Sequence, residues 1–171
     1  MKSESERHVP DQDIRRRYVS ADGYLREISS LVEEGRNVVI PVSGISMWPF
    51  LIPGRDHVML GSAQTGTLKV GDIALFQRKS GQYVLHRICR KGKSGFYFVG
   101  DAQTAAEGPV DPQQIRARVI GVKRAGKWLT GKEPVSLFFG RVWPRVRRGR
   151  ARILRVYRRT GKIGNRKESG V

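Results

Sequence analysis

The chain has a single cysteine, Cys89, in 171 residues. A lone thiol excludes an internal disulfide, and no Cys/His cluster has metal-ligand spacing, so neither a structural metal nor any cofactor is expected. The longest wholly apolar run is a few residues, against the roughly 20 needed to cross a bilayer. The opening MKSESERHVPDQD lacks the charged-then-apolar order of a signal peptide. These absences lead to the expectation of a cytoplasmic chain with no transmembrane helix. Histidines are few, with three, and acids are scarce, with 15 Asp and Glu against 33 Lys and Arg, for a formal charge of +18.

The cations are not evenly spread. From residue 141 to the end there are ten Arg and two Lys against one acid, Glu168, a surplus of +11. The end of the chain reads as a cationic device attached to a milder body.

Three zones follow from the patterning: 1–36, 37–130 and 131–171. In the first, Tyr24, Leu25, Ile28, Leu31 and Val32 recur at helical spacing between residues 20 and 34. Ser20 or Asp22 is placed to cap this amphipathic helix and Gly35 to end it. In the second, the short β-rich runs NVVIPV, DHVML, DIALF, QYVLHRI, GFYFV and RARVIGV are cut by PGRD, KSG and GKSG. Strands this short and close predict a mainly β domain, a small antiparallel barrel or coiled sheet. The third zone reads as a basic helical tail, with Pro144 acceptable at a helix start and Gly149 and Gly161 weakening it.

The stretch PVSGISMWPFL, residues 41–51, carries the chemistry. It leaves an apolar run, turns at Gly44, presents Ser46 and stiffens its exit with Trp48 and Pro49. A serine hydroxyl is a poor nucleophile until a base takes its proton. Among the histidines, His8 lies in a polar segment and His57 at a turn–strand junction, whereas His86 sits inside YVLHRI. Strand alternation puts Val84, His86 and Ile88 on one face and Tyr83, Leu85 and Arg87 on the other. An apolar-flanked imidazole favours its neutral form, as a general base must. Asp101, directly after the run FYFV, is a candidate to orient that ring if its strand neighbours the His86 strand. Each residue also has a plainer reading, Ser46 and Asp101 as turn residues and His86 as a satisfied core histidine.

Order and context tip the balance. GISMWPFL, LKVGDIALF, YVLHRI, VGDAQTAAEGPV and RARVIGV resemble the successive boxes of signal-peptidase-like serine peptidases, the superfamily that includes the LexA-type self-cleaving proteins. The resemblance runs from about residue 39 to 122. It implies Ser46 as nucleophile and His86 as the base of the Ser-His branch. Met47 and Pro49 would shape the turn and cleft, and Gly71 and Asp72 would form a strand-entry turn. Other branches use a lysine near this place, so Lys79 and Lys91 are retained as alternatives. Asp101 matches the family's Gly-Asp box. A second aspartate usual a few residues later is absent, leaving Ala106 and Glu107, so Asp101 ranks first and Glu107 second as the orienting acid. The box reads Ser43-Gly44-Ile45-Ser46, which makes the Ser46 amide an oxyanion donor and Ser43 a secondary candidate.

The implied activity is hydrolysis of a peptide bond in a precursor protein, with the segment 138–159 lying on an anionic membrane surface. There Phe138, Phe139, Val142, Trp143, Val146, Ile153, Leu154 and Tyr157 interleave with arginines. Nucleic acid ranks below membrane as a partner for the same cations. Two other classes stay open. A LexA-like regulator lacks a helix-turn-helix segment and a clear Ala-Gly cleavage site, and a non-catalytic basic β-domain binding nucleic acid leaves Ser46, His86 and Asp101 unexplained.

Overall fold

The computed structural model describes residues 21–129, 131–146, 149, 150 and 155. Helix α1 (Ala21–Glu33) opens the described chain. It buries Ile28 and Val32 and leaves Tyr24, Glu27 and Glu33 to solvent, as its apolar spacing requires. Gly35, at φ +85°, ends it, its amide donating to the Val32 carbonyl at 2.9 Å while that of Arg36 reaches back to Leu31. The cap candidate Ser20 and the histidine His8 lie outside the described residues.

Eight strands follow: β1 (Val38–Pro41), β2 (Asp56–Gly61), β3 (Ile73–Gln77), β4 (Tyr83–Gly92), β5 (Gly95–Val99), β6 (Glu107–Val110), β7 (Ile115–Arg124) and β8 (Lys127–Leu129). They form one antiparallel sheet in the order β1-β2-β7-β3-β4-β5-β6, with β8 on the side of β7. The molecule is mainly β, as the short apolar runs predict, but the sheet is not a closed barrel, since β1 and β6 end the path and do not pair with each other.

Both faces of the sheet are packed. The larger apolar cluster gathers Ile28 and Val32 of α1 with Val58, Leu60, Leu75 and Ala117, while the smaller holds Ala74, Phe76, Ile88, Phe98 and Ile115. Strand β3 serves both, sending Ile73 and Leu75 one way and Ala74 and Phe76 the other. This explains its uninterrupted apolar sequence. The stacked rings of Phe76 and Phe98, 4.4 Å between centroids, lock β3 across to β5 on the smaller side.

The segment after β8 is more tightly bound than its composition implies. Helix α2 (Pro134–Leu137) starts on Pro134 and runs into a π-helical turn, Phe138–Val142. Phe139 and Trp143 are buried in the larger cluster, with Phe139 5.1 Å from the ring of Phe50. The backbone of Gly140 lies where a side chain at Gly71 (φ +103°) would have to be, so glycine there has both a conformational and a steric reason. Residues 134–143 therefore share one core with the strands rather than standing apart from them.

Candidate active site

The turn bearing Ser46 is fixed at its entry, exit and back. At the entry, the Val42 amide donates to the Asp56 carbonyl at 3.0 Å, and Gly44 takes φ +71°, a conformation costly for residues with a Cβ. Within the turn, Trp48 donates to the Ile45 carbonyl at 3.1 Å and Leu51 to that of Met47 at 2.9 Å, with the Trp48–Pro49 peptide cis. Met47, Phe50 and Leu51 are buried while Ser46 is half-buried, so the apolar neighbours anchor a turn that lifts the serine out of the core.

At the exit, the buried Asp56 carboxylate accepts from the Ile52 amide at 3.0 Å and is gripped by Arg55 and Arg124. Burial alone would push its pKa up, but these hydrogen bonds and cations outweigh burial and hold it below the ordinary carboxylate value. At the back, the Ala102 amide donates to the Ser46 carbonyl at 2.9 Å. A Cβ on Gly100 would come within 2.5 Å of that same oxygen. Glycine is thus required where the loop after β5 supports the serine.

Ser46 and His86 line one cleft of about 360 Å³, together with Ser43, Gly44 and Arg78. Its lining mixes apolar side chains, including Val42, Met47 and Leu75, with polar ones, including Gln82 and Gln103, a combination suited to part of an extended peptide. His86 lies opposite Ala74 in the β3–β4 ladder and is 3% exposed. Its neighbours Val84 and Ile88 pack on the smaller cluster and Tyr83 and Leu85 on the larger, the alternation predicted for YVLHRI.

The acid that meets His86 is Glu107. Its Oε1 lies 3.0 Å from His86 Nδ1, whereas the carboxylate of Asp101 accepts two hydrogen bonds from Arg87, at 2.9 and 2.6 Å. This corrects the ranking of the two acids for contact with the ring, and strand register is the reason. Arg87 pairs with Val99, so Asp101, two residues on, approaches the Arg87 side of β4. Ile88 pairs with Phe98 and Phe98 with Glu107, which puts Glu107 in the row of the His86 face. The sequence signal for Glu107 was faint because EGPV, with its Gly and Pro, reads as a turn and forms a short strand at the sheet's end.

Arg78, unmarked by any sequence pattern, completes the group. From the turn between β3 and β4 it donates to both oxygens of Glu107, Nε to Oε2 at 2.8 Å and Nη2 to Oε1 at 3.0 Å. Burial would raise the Glu107 pKa, but the hydrogen bonds and charge of Arg78, with His86, more than offset this and leave it below the ordinary value. An ionised carboxylate can only accept, so His86 Nδ1 carries the proton and Nε2 keeps its lone pair. Burial lowers the His86 pKa, Glu107 raises it and Arg78 lowers it again, with a net fall. The imidazole is therefore neutral at neutral pH, able to accept a proton at Nε2.

Other candidates stand elsewhere. His57 is exposed on β2 and does not line the cleft. Lys79 is exposed in the β3–β4 turn, and Lys91 donates to the Leu68 carbonyl at 2.9 Å beside the ring of Phe96. Neither lysine lines the cleft with Ser46. Ser43 does line it, next to Gly44. Among the described residues, no group of three or more His, Cys, Asp or Glu side chains could hold a metal ion.

Comparison with known proteins returns no matching family, no matching curated protein and no matching solved structure. What the site can do is decided by its own side chains: a hydroxyl on a supported turn and a neutral imidazole with a carboxylate on Nδ1, in one cleft. That set suits general-base activation of a serine.

The segment expected on a membrane divides in two. Phe139 and Trp143 are buried in the core and unavailable to lipid, because they fill the space behind Phe50. Phe138, Val142 and Val146 are exposed, spaced by four residues, with Arg141 and Arg145 between them. Ile153, Leu154 and Tyr157 lie outside the described residues.

Proposed function

We propose that this chain is a serine endopeptidase, similar in its chemistry to signal peptidases, that hydrolyses a peptide bond in a precursor protein. Ser46 Oγ attacks the scissile carbonyl as His86 Nε2 takes its proton. The imidazolium then returns that proton to the leaving amine, and water releases the acyl group by the same route. Glu107 orients the ring and stabilises the imidazolium. The Ser46 amide, with Ser43 as a secondary donor, serves the developing oxyanion. No cofactor enters this chemistry. The observation that carries the reading is that Ser46 and His86 line one cleft, with Glu107 on His86 Nδ1.

In this reading the enzyme is cytoplasmic and rests peripherally on an anionic membrane. The exposed Phe138, Val142 and Val146 beside Arg141 and Arg145 support this. No helix among the described residues is long and apolar enough to cross a membrane. A basic domain that only binds nucleic acid would leave the buried His86 and its carboxylate without a role.

The test is to incubate the full chain with a diverse peptide library, with and without anionic vesicles, and to map cuts by mass spectrometry beside Ser46→Ala. Cuts that vanish in Ser46→Ala are expected. Identical cuts in both proteins, or none together with no labelling of Ser46 by a fluorophosphonate, would end the peptidase reading.

A further inference from the structure

Glu107 is an insecure partner for a catalytic ring. It sits at the start of the sheet's last strand, and its side chain is 30% exposed, so water competes for both oxygens. A carboxylate so placed has rotamers that leave His86 for solvent at little cost. Arg78 is what opposes that escape. Its guanidinium meets Glu107 with two donors, a fork that fixes the carboxylate plane as well as its position.

Arg78 is itself held. Its amide donates to the Gln82 carbonyl at 2.8 Å and its carbonyl accepts from Gly81 at 2.9 Å, closing the tight turn between β3 and β4. Its Nη1 donates to the Gln82 side chain, so Nη1 faces Gln82 while Nε and Nη2 face Glu107. Turn, fork, carboxylate and ring thus form one continuous chain from β3 and β4 to β6 and back to β4.

We propose that Arg78 is a positioning residue of the Ser46–His86 site, whose guanidinium grips both oxygens of Glu107 and so holds that carboxylate on His86 Nδ1. This rests on the peptidase reading for its purpose but not for its geometry. The fork keeps Oε1 on Nδ1, which leaves the lone pair on Nε2. Its charge also offsets that of Glu107 at the ring, so the carboxylate orients the imidazole without making it cationic at neutral pH.

The charged groups facing His86 are few. They are Glu107 from β6, Arg78 from the β3–β4 turn, and Asp101 from the loop after β5, whose charge acts from its pair with Arg87. Strand β3 brings only Ala74 and the ring of Phe76, 6.3 Å from the imidazole. Removing Arg78 leaves Glu107 with no cation on it, the other carboxylate, Asp101, keeping its pair with Arg87.

The experiment titrates His86 by NMR in the full chain and in Arg78→Met, Arg78→Lys and Glu107→Gln. The rate of Ser46 labelling by a fluorophosphonate is followed against pH in parallel. Arg78→Met should raise the His86 midpoint, move the acid limb of labelling up with it, and slow labelling on the order of 10- to 100-fold at its optimum. Arg78→Lys restores the charge without the fork, so its midpoint should return towards wild type while labelling stays slow. Glu107→Gln should lower the midpoint.

A His86 midpoint and labelling rate unchanged in Arg78→Met, in a protein whose circular dichroism is native, would overturn the proposal. Should Arg78→Met unfold, Arg78→Lys decides, and full labelling by it would equally overturn the role of the fork. Failure of the peptidase reading looks different. Wild-type Ser46 would then never label, while the His86 midpoint would still move with Arg78.

Discussion

The indole Nε1 of Trp143 donates a 3.1 Å hydrogen bond to the carbonyl of Asp101. This ties the basic end of the chain to the loop that supports Ser46. Arg150, wholly buried, continues the link by donating to the carbonyls of Gly100 and Gln103 at 3.2 Å and to that of Trp143 at 2.6 Å. Because the Ala102 amide in the same loop holds the Ser46 carbonyl, Trp143 and Arg150 act as a strut behind the turn that carries Ser46.

Trp143→Ala should therefore cost about 3–5 kcal/mol of stability, the usual loss for emptying a buried aromatic site. Trp143→Phe keeps most of the packing and should lose only about 1 kcal/mol with the hydrogen bond. Chemical denaturation of both variants checks this, and near-equal losses would mean the indole nitrogen rather than the ring volume dominates. Deleting residues 134–171, and with them Phe139 and Trp143, should lower the melting temperature.

Asp101→Ala leaves Arg87 cationic where it is 3% exposed, and breaking such a buried pair should cost about 3–5 kcal/mol. Activity should fall only in step with the folded fraction, since Arg87 and not His86 is the partner of Asp101. Glu107→Gln should show a different profile, a smaller loss of melting temperature than Asp101→Ala, because the carboxylate is partly exposed, with turnover lowered on the order of 100-fold or more. Thermal melts and single-substrate kinetics on the two variants separate these roles.

Ser46→Ala and His86→Ala should each lower turnover on the order of 10⁴-fold or more while far-ultraviolet circular dichroism stays native. His57→Ala should turn over normally, because His57 is exposed on β2 outside the cleft. Complete loss of turnover in His57→Ala would mean that the wrong histidine has been assigned.

Proton linkage has the same sign for both members of the His86–Glu107 pair. Each pKa is lowered in the folded protein, from ordinary values of 6.5 and 4.5, so the unfolded chain binds more protons as pH falls. Stability should be full above pH 6.5 and decline below it, first through His86 and then, below 4.5, through Glu107. The acid limb of kcat/KM should lie below pH 6.5 for the same reason, since His86 must be neutral to act as base. Melting temperatures and initial rates across pH 4 to 8 test both statements, and a His86→Gln variant should flatten the first decline.

Binding to anionic vesicles should weaken when Phe138 and Val142 are both replaced by Ser, as measured by co-sedimentation, because these side chains are exposed beside Arg141 and Arg145. Trp143→Phe should bind as wild type, its ring being in the core. Undiminished binding by the double Ser variant at physiological salt would remove this face from the proposed contact.

Much of the scaffold was legible because it obeys short-range rules. The spacing of Leu25, Ile28 and Val32 specifies α1 with Gly35 as its stop, and six apolar runs correspond to six of the eight strands. Strands β6 and β8 were missed since EGPV and KWL are too short and too polar or turn-like to declare themselves. The turn at Ser46 was legible from Gly44 and Pro49, and the place of His86 on a strand from the alternation in YVLHRI.

The identity of the carboxylate on His86 was not legible, nor was Arg78. Asp101 and Glu107 are six positions apart, and only the pairing of β4 with β5 and of β5 with β6 decides which row each joins. The tail presents the same contrast. Its composition determined that cations crowd the end of the chain, but interleaved aromatics look alike until packing chooses among them. Sequence by itself determined α1, six of the strands and the turn at Ser46, because periodicity and turn preference act over a few residues. The tertiary structure decided which charged and aromatic groups meet, because register and core packing join residues far apart in the chain.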